Sequence, residues 1–487
     1  MTKKDHGSEK GPLLNRRTAL LSGASAAAIM STLPGAKLAF AEATDAPSAE
    51  PSGEMRDLVA ALHEAVDADA TEVQEIYKDL HAHPELGFME TRTAGVVAKE
   101  LQALGFEVKT GIGVTGVVGI LQNGDGPVFM YRGDMDALPI EEQTGLPYAS
   151  TVRVTNLEGV EVPVSHMCGH DANTTLVVAV GKALVRMKDR WSGTLVLVAQ
   201  PAEEPIEGAK AMIDDGLYTA HGVPEPDYFM AMHTGPLPTG TVVLTGGRLN
   251  TGSQHIDVTF FGSGGHGSSP HVVTDPIAMA GAAMTQYQTI VSRMMDPTQT
   301  SVLTIGMVKA GETYNVIPTE AHLKIKLHYE TVEAGEKMVS SIRSISENVA
   351  RSFGISSDDM MPRVDVRGYA PPVVNSRDWM ARIADVLRQA KAADLTLDAE
   401  RAIEAVALFD LEAPASDDAF ALIDGIDGVQ GAYIFIGAAP PDMVAAARAD
   451  GHEYPFFVHQ PNYIVDPDAI TFGTKVATVI ALDALGK

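Results

Sequence analysis

Of 487 residues one is cysteine and two are tryptophan, and acidic residues outnumber basic ones 63 to 36. A single cysteine excludes an intrachain disulfide, so no covalent staple supports this fold. The formal charge of −27 argues against nucleic acid and anionic membrane surfaces, both of which are bound through Lys/Arg-rich faces. No later apolar run is long and uninterrupted enough for a stable membrane anchor, which takes about 20 residues. Internal repeats are absent too. What is present suits a large core, with 45% hydrophobic and 20% charged residues. At roughly 150 residues per domain the length suggests two or three domains.

The amino end reads as a targeting segment. Asn15-Arg16-Arg17-Thr18-Ala19-Leu20 precedes a weakly apolar, Ala/Ser/Gly-rich run to about Leu33, and Ala39-Phe40-Ala41 fits a cleavage site. Paired arginines ahead of a modest apolar region resemble a twin-arginine signal, whose cargo is exported folded. Residues 1–41 are therefore expected to be removed, leaving a flexible leader at 42–54 and a periplasmic or secreted product.

From about Met55 the pattern is α/β. Leu58 to Leu80 has helical periodicity, and Glu90 to Leu104 forms a second helix closed by Gly105. A strand from Val128 to Tyr131 leads into Arg132-Gly133-Asp134-Met135-Asp136. Asn173 or Thr174 is expected to cap a helix reaching about Lys188. Thr194 to Ala199 is a strand delivering Gln200-Pro201-Ala202-Glu203-Glu204, and Tyr228 to Met232 is one delivering His233. Such alternation implies a mostly parallel central sheet flanked by helices. In such sheets ligands bind beyond the carboxyl ends of the strands, where Asp136, Glu203, Glu204 and His233 all fall. Between 251 and 370 the order becomes β-α-β-β-α-β, a ferredoxin-like α+β domain. Helices and strands resume afterwards, so the smaller domain is inserted into a larger one made of 55–250 and 371–487.

The chemistry centres on His166-Met167-Cys168-Gly169-His170-Asp171. A thiolate and an imidazole two residues apart can share one soft or borderline cation, and the glycine lets the chain turn between them. A lone cysteine is more often a small core hydrophobe. Here, however, further metal-type residues follow apolar runs downstream. Glu203 and Glu204 are bracketed by Pro201 and Pro205, a rigid cleft position. One can bind a metal while its neighbour takes a proton from the water that the metal acidifies. His233 ends a buried run, and Asp136 is placed to orient a ligand. Among the late histidines His459, in Phe456-Phe457-Val458-His459-Gln460-Pro461, is best placed to complete the site, with His452 its competitor.

The chain resembles the M20 metallopeptidase superfamily, within it the amidohydrolase branch of N-acyl-amino-acid, hippurate and indole-acetyl-amino-acid hydrolases. The matching stretches are His81-Ala82-His83-Pro84-Glu85-Leu86 with Glu90, Asp134-Met135-Asp136-Ala137-Leu138-Pro139-Ile140, the Cys168 stretch, Gln200 to Glu204, and Met232-His233. Gly264-Gly265-His266-Gly267-Ser268-Ser269-Pro270-His271 with Asp275-Pro276, and Asn315-Val316-Ile317-Pro318, extend the match to the insertion. The resemblance implies two divalent metal ions held by Cys168, His170, Glu204, His233 and His459, with Cys168 bridging. It implies Glu203 as general base, Asp136 as supporting acid, and attack on a small-molecule amide by a hydroxide that bridges the metals. It also implies that His266 stabilises the tetrahedral oxyanion, in this superfamily often across a homodimer, and that Asn315 contacts substrate. Thiolate and imidazole favour zinc, while manganese, cobalt or nickel also suit mixed sites.

Three positions depart from the family pattern. Asn173 stands for a usual His, Ser416-Asp417-Asp418 for a common Ser-Glu-Asp, and His328 for a frequent Arg. If that Arg holds a substrate carboxylate, His328 is a weaker and pH-dependent partner. These departures bear on which substrate is cut. A metallo-dipeptidase or aminopeptidase would share the metals but need a carboxylate anchor for a free amine. A non-catalytic binding relative would not retain Glu203 and Asp136.

Overall fold

In a computed structural model, residues 50–395, 406–408 and 416–486 are described. The targeting segment read at 1–41, and the leader as far as residue 49, lie outside the described residues. Ser52 accepts a hydrogen bond from the Met55 amide and starts α1 (Gly53–Asp67), two residues inside the expected leader. The single helix expected over 58–80 is two, α1 and α2 (Ala70–Ala82). The break falls at Asp69, whose carboxylate takes two 2.6 Å bonds from Arg186, 117 residues away. Periodicity cannot see such a partner.

Helix α3 (Thr91–Ala103) precedes six strands: β1 (Glu107–Ile112), β2 (Gly116–Asn123), β3 (Val128–Asp134), β4 (Gly193–Gln200), β5 (Tyr228–Pro238) and β6 (Val242–Leu244). Helix α4 (His170–Arg186) lies between β3 and β4, and α5 (Gly208–Asp214) follows β4. The insertion carries β7 (Gly252–Phe261), α6 (Pro276–Thr289), β8 (Ser301–Ala310), β9 (Glu320–Tyr329), α7 (Val332–Ser352) and β10 (Arg363–Ala370). The chain returns through α8 (Arg377–Ala392), β11 (Val406–Leu408), β12 (Gln430–Ala439), α9 (Pro441–Ala449) and α10 (Asp468–Leu485).

The larger sheet has the order β1-β2-β4-β3-β5-β12-β6-β11. Its centre, β4-β3-β5-β12, is parallel, and β1 and β2 are antiparallel additions at one edge. Helices α1, α4, α8 and α10 bury one face and α5 with the 419–422 turn buries the other. Helix α4 is buried over residues 170–184, its first turns carrying the polar residues His170, Asp171, Asn173, Thr174 and Thr175 and its later turns mostly apolar ones. It begins three residues before the expected cap. Gly169, at φ 81°, takes the cap because a Cβ there would lie 2.3 Å from Thr234 Oγ1. Asn173 and Thr174 instead turn inward and donate to the side chain and backbone oxygens of Asp134. Strand β5 also runs further than expected, pairing with β12 beyond His233, so that histidine sits within a strand.

The inserted sheet is antiparallel throughout, in the order β8-β9-β7-β10. Leu323, Ile325 and Leu327 of β9 join α6 and α7 in a separate core. The alternate residues Lys324, Lys326 and His328 face the other way. That open face leans on the turn after β4: the Tyr369 amide donates to the Ile206 carbonyl at 2.8 Å. Among the described residues no helix is long and apolar enough to cross a membrane.

Candidate metal centre

Parallel neighbours β3 and β4 release their chains at the same edge, with Asp134 opposite Gln200 in the register. Asp136 and the Glu203-Glu204 turn therefore emerge side by side. The Glu203 and Glu204 amides donate to the two oxygens of Asp136, each at 3.0 Å. The turn is held in strained backbone, with Ala202 at φ 46° and Ile206 at φ 55°. Glu90 secures it, accepting from the Ala202 amide at 2.8 Å and from Thr115 Oγ1 at 2.6 Å.

Three sets of donor atoms, each lying within 4.8 Å of one another, meet here: Cys168 with His170 and His233, Cys168 with Glu204 and His459, and His170 with Glu203 and Glu204. Cys168 belongs to the first two. The His233 Nδ1–H donates to the Thr234 carbonyl at 2.7 Å, which turns Nε2 to within 3.8 Å of the Cys168 sulfur. His170 Nδ1 bonds Asp136 at 3.2 Å, and its buried Nε2 has no hydrogen-bond partner. His459 arrives from the far end of the chain. Its amide donates to the Met167 carbonyl at 2.6 Å, its φ is 64°, and its Nε2 lies 3.2 Å from Glu204. His452, by contrast, is exposed at the end of α9.

Glu203 is buried, and neither of its carboxylate oxygens has a hydrogen-bond partner. Burial, then the charges of Asp417, Glu204, Asp418 and Asp134, pushes its carboxyl well above the usual range. Burial and the same glutamates push the Cys168 thiol up. Burial opposes a charged His170, yet Asp134, Asp136 and Glu204 outweigh it and bring its pKa to about 10. The pocket thus crowds carboxylates, a thiol and inward-facing ring nitrogens, leaving a proton on His170 as compensation. Such a donor set fits divalent cations.

A buried base lies behind it. Arg132 of β3 donates to Gln200 at 2.8 Å and Asp134 at 2.6 Å, and its guanidinium lies 3.3 and 3.4 Å from Asp417 and Asp418. Burial lifts Asp418 to about 8, with Arg132 opposing the rise and Asp417 adding to it. Glu203, Asp417 and Asp418 also approach one another, but Arg132 already supplies positive charge to Asp417 and Asp418. Sequence reasoning assigned Arg132 no role. The available signal was a lone arginine in the apolar run Val128-Phe129-Met130-Tyr131.

His81 forms a second buried ionic group, 2.6 Å from Asp171 and 3.0 Å from Glu142. Burial disfavours its charge, but these carboxylates prevail and raise its pKa to about 10. The raised value means that its stabilising contribution is complete below about 6.5 and is lost as pH rises through about 10. His81→Leu is expected to cost about 3 kcal/mol by leaving Asp171 and Glu142 buried without their cation. Urea unfolding at pH 7 measures this, and the deficit should shrink above pH 10.

The remaining sequence candidates lie on the insertion. His266 is exposed and bonds Ser268, and the neighbouring Gly267 amide donates to the Asn315 carbonyl. The structure therefore brings His266 and Asn315 together, through hydrogen bonds that lie within the insertion. His328 is half-buried, hydrogen-bonded to Thr251 at 3.2 Å. Burial, then Lys326 and His255, pushes its pKa down to about 4, so it is neutral at pH 7.

Comparison with known proteins matches residues 130–431 to peptidase family M20/M25/M40. Hippurate hydrolase of Campylobacter jejuni is 34% identical over 320 residues, 65% of this chain and 79% of that protein. N-acetylcysteine deacetylase of Bacillus subtilis is 29% identical over 423 residues, 85% of this chain and 97% of that protein. A dinuclear metal-binding peptidase of the M20 family from Bacillus subtilis superposes with a TM-score of 0.60 at 25% identity, covering 86% of this chain and 99% of that one.

Proposed function

The chain belongs to peptidase family M20/M25/M40, and we propose that it hydrolyses the amide bond of N-acyl or N-aroyl amino acids. It is a metal-dependent hydrolase. The observation that carries the site reading is the sharing of Cys168 between two ligand sets beside a buried Glu203 whose carboxylate has no hydrogen-bond partner, and the substrate reading is supported by the hippurate hydrolase and N-acetylcysteine deacetylase relatives. Cys168, His170 and His233 would hold one ion, Cys168, Glu204 and His459 the other, and zinc suits this mixture of thiolate, imidazole and carboxylate. When bound, two such ions polarise the amide carbonyl and acidify water.

The residues around them carry the proton and hold the geometry. Glu203 takes the proton of the attacking water and returns it to the departing nitrogen. Asp136 fixes the His170 ring and the Glu203-Glu204 backbone at once. Incubation of the metal-loaded chain with N-acyl and N-aroyl amino acids, free dipeptides and simple amides tests the reading. Release of amino acid from acylated substrates supports it, and cleavage of free-amine dipeptides alone would select the peptidase alternative.

His266 would serve the oxyanion and Asn315 the substrate, both from a second copy of the chain. What supports this is the free edge strand β8, ten residues long, with Val302 and Val308 exposed. Mixing inactive His266→Ala with inactive Glu203→Ala should then restore activity, because a mixed dimer contains one complete site. Absence of rescue in a mixture shown to exchange subunits would place His266 in its own chain's site. Export through the Arg16-Arg17 signal would deliver the enzyme folded, with its metals already bound.

A further inference from the structure

The polar face of the inserted sheet covers one side of the metal centre. On that face His255 of β7 stands opposite Lys326 of β9, and Ser253 opposite His328. Strand β10 fixes the approach: a Cβ on Gly368 would lie 2.5 Å from Ile206 and 3.1 Å from His255 Nδ1. The face is therefore seated on the turn that carries Glu203 and Glu204. Among the described residues the Lys326 ammonium forms no ion pair or hydrogen bond, though the residue is half-buried. The external charges acting on it are those of Glu203 and Glu204.

A half-buried ammonium held without a direct partner is costly unless an anion reaches it. Glu203 and Glu204 act on it from beyond ion-pair distance, and the two histidines beside it supply no negative charge. His255 and His328 are both pushed down to about 4, chiefly by burial, with Lys326 contributing to each shift. They remain neutral at pH 7, so Lys326, whose own pKa burial lowers against the opposing pull of Glu203 and Glu204, is the one group of the three that can meet an anion with a positive charge. We infer that Lys326, rather than His328, binds the carboxylate of the substrate between the inserted sheet and the metal centre. The inference rests on the amide-hydrolase reading and assigns its substrates an anionic group. A lysine is a point charge on a flexible stem, so it tolerates several positions of that group where a bidentate arginine would demand one.

The test compares N-benzoylglycine with N-benzoylglycinamide, which lacks the carboxylate, in the metal-loaded full chain. In Lys326→Met the preference for the acid over the amide, as a ratio of kcat/KM values, should fall at least about tenfold, mainly through KM. Lys326→Arg should recover most of that ratio, which a merely structural role would not produce. An unchanged ratio in both Lys326→Met and Lys326→Gln overturns the inference while leaving amide hydrolysis standing. Binding separates the other case. In a Glu203→Ala background, Lys326→Met should weaken N-benzoylglycine binding by a similar factor. If the unmutated chain cuts neither compound yet this binding difference persists, the hydrolase reading fails and the carboxylate site stands.

Discussion

Glu203→Ala is expected to abolish turnover while leaving the protein folded and its metals bound. The loss should be about a thousandfold or more in kcat, within the range for removing a positioned general base, with KM little changed. The structure also predicts the sign of the stability change. Glu203 is buried against Asp417, Glu204, Asp418 and Asp134, no hydrogen bond compensates it, and the His170 ring nitrogen stands 3.8 Å off, so the acidic neighbours outweigh it. Removing it relieves like-charge crowding, so the metal-free variant should melt no lower than the metal-free parent. Such a residue is retained for chemistry at the expense of stability. Calorimetry of both apoproteins, with metal analysis of the loaded forms, checks the prediction. A melting temperature several degrees lower would mean that Glu203 is structural.

Cys168→Ser is expected to weaken both ions together, because the sulfur belongs to both ligand sets. Loss of a residue that only supports a ligand costs about 10–100-fold in affinity. Loss of the shared thiolate should exceed that, leaving well under two metals per chain after dialysis. Protons provide a second readout. With the Cys168 thiol pushed up and His170 at about 10, both are protonated in the metal-free chain at pH 7. Metal binding should then release about two protons from this pair, and affinity should rise with pH. Titration calorimetry in buffers of different ionisation enthalpy measures the release, which should fall by about one in Cys168→Ser. Unchanged metal stoichiometry in the mutant would remove Cys168 from the ligand set.

The α/β alternation and the inserted β-α-β-β-α-β domain were legible because each element carries its own periodicity. The Cys168–His170 pair was legible for a similar reason, since its chemistry and its turn lie within three residues. What escaped depended on distant partners. Arg132 reads as an anomaly in an apolar strand until Asp417, 285 residues away, is brought beside it. The break between α1 and α2 depends on Arg186, and the early start of α4 on Thr234 crowding Gly169. The neutral state of His328 likewise follows from burial of the sheet face that carries it, which the run Lys324-Ile325-Lys326-Leu327-His328 does not reveal. Local pattern reveals elements and contiguous motifs. The charge state of a site is a property of the assembled fold.

The most direct test of the two-cation site is a metal titration of the chelated full-length protein, following release of glycine from N-benzoylglycine as zinc or manganese is restored in fractions of an equivalent. The account predicts no turnover in the chelated protein and recovery that is complete at two ions per chain, with Glu203→Ala silent throughout. Turnover that survives complete removal of metal, or is full at one ion with no second bound, would contradict it.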